Sequence, residues 1–291
     1  MITAVNVTRP SLIGDIICSL VFPACLEKNY PGSVKIALID PKCQQIAPLL
    51  FNAPSIDGVR IAEKSDQITQ NDEDYFKKFD LIFDPFAPIV KENWYNEMTV
   101  IESIFKMNWL RGMSGPINPQ KWNQLDKDER CPRLTQYFDA PKNNYITIWA
   151  NSGYSNDPIN RKRNPSKEYW TGLVDRLIKE DYKVAQLGTC DHFLINEKVL
   201  DLRHLSLFEA IRFSLGSQVA IGTDSGSMHC LGAYGFNQIL LTTYWRRGHF
   251  QNPSALIPVN YKNHAINLFC PDDINKIEYD RIIEGIKLLN E

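Results

Sequence analysis

The chain has 291 residues, 44% hydrophobic and 23% charged, which excludes a disordered or fibrous protein and leaves room for two α/β domains. Its formal net charge of -2 supplies no overall electrostatic reason to bind nucleic acid or an anionic membrane. No apolar run reaches the roughly 18 residues of a membrane-spanning helix, and Met1 to Asn6 lacks a charged signal-peptide start, so a cytoplasmic location is expected.

The chain opens with a strand at 4–8 and a helix beginning at Ile16. The helix carries Ile17, Leu20, Val21, Ala24 and Cys25 on one face until Tyr30-Pro31-Gly32 stops it. Short β-prone runs predict strands at 34–39, 59–61 and 81–83, with a helix at 44–51 and a polar loop around 65–74 between them. Val100, Ile101, Ile104, Phe105 and Asn108 give another helix; Gly115-Pro116 and the polar stretch 131–144 then read as a linker, which sets a boundary near 140. The alternation restarts with a strand at 145–150, a helix bearing Trp170, Leu173, Val174, Leu177 and Ile178, and a strand at 184–187 closed by Gly188. A helix at 207–215, a strand at 218–222, a short helix from Ser227, a strand at 238–242 and a last helix with Ile277, Ile282, Ile286 and Leu289 follow. The simplest architecture is two doubly wound, Rossmann-like α/β domains, 1–140 and 141–291, facing a central cleft, with the last helix able to pack back on domain one. The seven cysteines form no C-x-x-C pair and several lie in apolar periodic segments, so they read as reduced, mostly buried thiols.

Two strand-to-helix turns carry candidate chemistry. The first runs Arg9-Pro10-Ser11-Leu12-Ile13-Gly14-Asp15, where Gly14 lets the backbone approach a substrate and Asp15 stands at the helix start. The plainer alternative makes Asp15 a helix cap and Gly14 a tight turn. The second runs Thr223-Asp224-Ser225-Gly226-Ser227-Met228-His229, in which the N–H groups of Ser225 to Met228 and the helix dipole suit a diphosphate. Its alternative is an Asp-capped helix with His229 satisfied in the core. Asn151-Ser152-Gly153 follows the first strand of domain two, and Arg161-Lys162-Arg163 places cations where a leaving nucleotide could be neutralised, unless the run is only a solvated loop. Gly188-Thr189-Cys190-Asp191 could bring a carboxylate near a ribose, and Arg246 lies just past a strand end where it could reach phosphate or acceptor. Asp72-Glu73-Asp74 matches a D-x-D metal pattern but falls in the polar loop, so no metal site and no cofactor is expected. P-loop, G-x-G-x-x-G, G-x-S-x-G and H-E-x-x-H motifs are absent from the sequence.

Together these residues resemble glycosyltransferase family nine, the ADP-heptose:lipopolysaccharide heptosyltransferases and their relatives. The resemblance rests on Arg9, Ser11, Gly14 and Asp15, and on the D-[ST]-G-x-x-H pattern Asp224-Ser225-Gly226-Ser227-Met228-His229 followed by Gly232-Ala233-Tyr234-Gly235. The stretch from Asp201-Leu202 through Ser206-Leu207-Phe208-Glu209-Ala210 also looks like the one preceding that pattern. It implies a GT-B fold, a metal-independent inverting transfer, Asp15 as general base, Lys162 facing the donor phosphates and the 224–229 loop holding the diphosphate. The family's Lys, aromatic, Trp-Pro pattern is reduced here to Lys162 and Pro165, so Arg161 or Arg163 can share the role of Lys162.

The expected partners are a nucleotide-sugar donor and a glycan or glycolipid acceptor. The alternatives are a phage-type enzyme acting on a hydroxymethylated DNA base, a sugar-nucleotide epimerase, and a non-catalytic sugar-nucleotide-binding module.

Overall fold

The computed structural model describes residues 3–8, 13–20, 23, 27, 31–54, 56–64, 69–76, 81–83, 134–151, 163–243 and 264–291. The chain divides into two compact units, with the break between Tyr137 and Phe138.

The first unit is a parallel sheet of β1 (Thr3–Thr8), β2 (Val34–Ile39), β3 (Gly58–Ile61) and β4 (Leu81–Phe83), in the order β3-β2-β1-β4. Helix α1 (Ile13–Ser19) follows β1 and buries Ile16 and Ile17. Val21, Ala24, Cys25 and the helix expected around residues 100–108 lie outside the described residues. The helix expected at 44–51 is instead a 3-10 segment, Pro41–Ile46, that continues into a single α-turn, α2 (Ala47–Leu50). Asp40 starts it by accepting from the Lys42 N–H at 2.9 Å, and Pro41 at the first position has no N–H to satisfy. The polar loop expected at 65–74 is corrected over its second half, which forms helix α3 (Gln70–Phe76). Acidic residues in a first turn favour the positive end of the helix dipole, and Gln70 bonds Asp74 one turn on, at 3.2 Å.

The second unit is a six-stranded parallel sheet: β5 (Tyr145–Trp149), β6 (Lys183–Leu187), β7 (Leu200–Asp201), β8 (Val219–Thr223), β9 (Gln238–Thr242) and β10 (Ala265–Phe269), in the order β10-β9-β8-β5-β6-β7. β7 and β10 are edge strands that the sequence reading did not include. Four helices accompany the sheet among the described residues: α4 (Lys167–Lys179), α5 (Leu207–Leu215), α6 (Gly226–Ala233) and α7 (Tyr279–Asn290). α4 is capped by Ser166 and α5 by a reciprocal Ser206–Glu209 box. Trp170, Leu173, Val174 and Leu177 of α4 meet Ile146, Ile148, Ile221 and Ile239 of the sheet in one core. α7 adds Ile282, Ile283 and Ile286 to the same core, so this helix packs within the second unit.

The segment 134–144 has no regular structure. From Phe138 on it is docked onto the second unit: Phe138 sits edge-on to Phe208 and Tyr234, and Asn143 donates its N–H to the Gly216 carbonyl at 2.7 Å. A Cβ on Gly216 would overlap the Pro141 carbonyl, so the close approach requires glycine. Of the described cysteines, Cys43 and Cys230 are buried, whereas Cys190 is exposed. No described helix is long and apolar enough to cross a membrane.

Candidate active site

Both sheets reverse direction beside their first strand. From β1 the chain adds β2 and β3 on one side and returns to place β4 on the other; from β5 it adds β6 and β7, then returns with β8. Open parallel sheets bind ligands beyond the carboxyl ends of strands at such points. Both candidate turns sit there: Gly14 and Asp15 after β1, and 224–229 after β8.

At the second turn, Thr223 ends β8 and Ser225 is the N-cap of α6, with extended backbone and no side-chain cap bond. The hydroxyls of Thr223 and Ser225 are both buried without a hydrogen-bond partner. The first N–H groups of α6 have no acceptor within the helix, which leaves an electropositive turn. Gly222 is required beneath it, because a Cβ there would stand 2.8 Å from the Met228 sulfur. Met228 is 1% exposed, so its side chain belongs to the core and the main-chain N–H expected of it is the group it can offer a donor.

Asp224 is held from two directions. Arg163 forms an ion pair with its carboxylate and donates from the same Nη2 to the Asp224 carbonyl at 3.1 Å, while His229 Nε2 lies 3.0 Å from Oδ1. Burial by itself would raise the Asp224 carboxyl, but the Arg163 guanidinium and the His229 bond outweigh it and hold the group at about 2. His229 is therefore satisfied by Asp224 in a partly buried position.

The neighbouring strand ends complete the rim. Asn151 follows β5 and is partly exposed. Gly188 follows β6 at φ 134, and a Cβ there would also crowd His192. Asp191 is exposed and accepts from Thr189, which lowers its pKa. Arg203 was not anticipated: it pairs with Asp201 on β7 and donates to the His192 carbonyl, pinning the loop that carries Gly188 and Asp191. The Asp-x-Arg spacing at 201–203 was the available signal.

In the first unit Gly14 is buried and Asp15 is the third residue of α1, inside its first turn rather than at the cap. Arg9, Ser11, Ser152, Gly153, Arg161, Lys162 and Arg246 lie outside the described residues. Among the described residues no cluster of His, Cys, Asp and Glu could hold a metal ion.

No family model and no curated protein matches the sequence. Solved structures do match in fold. The E. coli ADP-heptose lipopolysaccharide heptosyltransferase II superposes with a TM-score of 0.70 at 15% identity, covering 100% of this chain and 98% of that one. A glycosyl transferase family 9 protein from Veillonella parvula gives 0.65 at 16% identity, covering 99% and 97%. The E. coli heptosyltransferase WaaC with ADP gives 0.62 at 12% identity, covering 98% and 99%. The chain therefore has the α/β fold of the GT-B heptosyltransferases.

Proposed function

We propose that this chain is a glycosyltransferase that moves a sugar from a nucleotide-diphosphate donor to an acceptor hydroxyl, by a metal-independent inverting displacement. The observation that carries the reading is the turn after β8, where the unpartnered hydroxyls of Thr223 and Ser225 adjoin the open first turn of α6 at a switch point of the sheet. Such a turn supplies donors for a diphosphate without a divalent ion. The acceptor oxygen attacks the anomeric carbon as its proton passes to Asp15, and the bond from that carbon to the phosphate oxygen breaks. Charge gathers on the departing nucleoside diphosphate, which the α6 N-terminus and Lys162 stabilise. One fold-similar protein is named for ADP-heptose and another was solved with ADP, so an ADP-linked sugar is the first donor to test. The acceptor is a glycan or glycolipid, and the work is cytoplasmic.

A thermal-shift screen against ADP-, GDP-, UDP- and CMP-linked sugars tests this, because ligands of the folded state raise Tm. One diphosphate class should shift the protein and be consumed only when an acceptor is added. No shift with any donor overturns the reading. Conversion of the donor without acceptor makes the protein an epimerase, and binding without turnover on any acceptor makes it a binding module.

A further inference from the structure

We infer that Arg163 is a positioning residue for the diphosphate site: by clamping Asp224 it fixes the turn that presents the N–H groups of residues 226–228, and it does not itself contact the phosphates. The inference rests on the function proposed above.

Three observations support it. The Nη2 of Arg163 is committed to Asp224 twice, to the carboxylate and to the main-chain carbonyl, so the guanidinium holds backbone as well as charge. The other carboxylate oxygen is taken by His229, which lies one turn into α6, so Asp224 ties the strand end to the helix body. Ser225, the residue that would ordinarily lock the helix start, makes no side-chain cap bond. The chain Arg163–Asp224–His229 stands in for that missing cap. It also resolves an apparent conflict: a partly buried carboxylate beside an anion site is tolerable because it is paired, and its removal leaves an uncompensated arginine and a loose turn.

This arrangement makes a prediction opposite in sign to direct contact. If Arg163 touched the phosphates, Asp224→Asn would remove a nearby negative charge and leave ADP binding equal or tighter. If Arg163 acts through Asp224, D224N weakens binding by about tenfold or more, R163A does the same, and R163A/D224N is little worse than either single variant. ADP affinity is measured by calorimetry for these proteins and for R163K, with Tm recorded without ligand. R163K keeps the charge but loses the planar fork, so it should weaken binding despite a near-normal Tm, a result a purely structural role does not produce. Additive losses, unchanged or tighter binding in D224N, or wild-type affinity in R163K overturns the positioning role. If D224N fails to fold, D224E takes its place: it keeps the charge but displaces the carboxylate, so weaker ADP binding supports the positioning role and wild-type affinity overturns it. Failure of the wild-type protein to bind ADP, GDP, UDP or CDP removes the underlying function and this role with it.

Discussion

Trp170 donates its indole N–H to the Ala150 carbonyl at 3.0 Å, so the helix that follows β5 is bonded back to the residue immediately before Asn151. The ring is fully buried in the core of the second unit. Trp170→Ala should therefore cost about 3–5 kcal/mol, from lost burial and the cavity left behind. Trp170→Phe keeps most of the apolar volume but strands the Ala150 carbonyl, at about 1–3 kcal/mol. Urea unfolding of the second unit checks both; wild-type stability in Trp170→Phe would mean that the hydrogen bond adds nothing to packing.

Acid should loosen the same unit through Asp224. Its carboxyl titrates at about 2 in the fold against the usual 3.8, so the ionised group stabilises the native state above pH 4. That contribution is lost as pH falls from the unfolded value through the folded one. Wild-type stability should decline across this window, and Asp224→Asn, less stable at neutral pH, should decline less. Matching acid slopes for the two proteins would remove Asp224 from the linkage.

Much of the fold was legible because its strands are short apolar runs between turn residues. The expected 34–39, 81–83 and 238–242 coincide with β2, β4 and β9, and 207–215 with α5. β7 has only two residues, too few for any periodicity, and β10 is an edge strand whose side chains are mostly half-buried. At the site, the location of the second turn was readable from its small residues after a strand. The partner of Asp224 was not, since Arg163 lies 61 residues away and no spacing rule links them. The burial of the Met228 side chain was not legible either, since it depends on the space left by Gly222, which only packing reveals.

Chelation should leave turnover intact. Of the two D-x-D sequences, Asp72-Glu73-Asp74 lies on α3, where positions two apart are separated by about 200° around the helix axis, a poor arrangement for sharing an ion, and Asp126-Lys127-Asp128 lies outside the described residues. Asp74 is further occupied by Gln70. Activity with EDTA should equal that without it; a complete loss restored by manganese or magnesium would show that a metal carries the leaving-group charge.

Asp15 offers the sharpest test of the proposed chemistry. Its place as third residue of α1, after β1 and beside the buried Gly14, puts it at the switch point of the first sheet. No histidine competes for the role in the first 191 residues, since all five lie at 192 or beyond. Inside the first turn an aspartate also interacts with the helix dipole, an effect worth about 0.3–1 kcal/mol that asparagine largely forfeits. Asp15→Asn should thus lower stability by no more than that amount. As a base, however, asparagine cannot take the acceptor proton, so kcat should fall by about 100-fold or more while donor affinity holds. The two effects separate cleanly when kcat, donor affinity and Tm are measured on one preparation. A small drop in Tm with near-normal turnover would leave Asp15 as a helix-stabilising residue only, and the acceptor's proton would have to leave by another route.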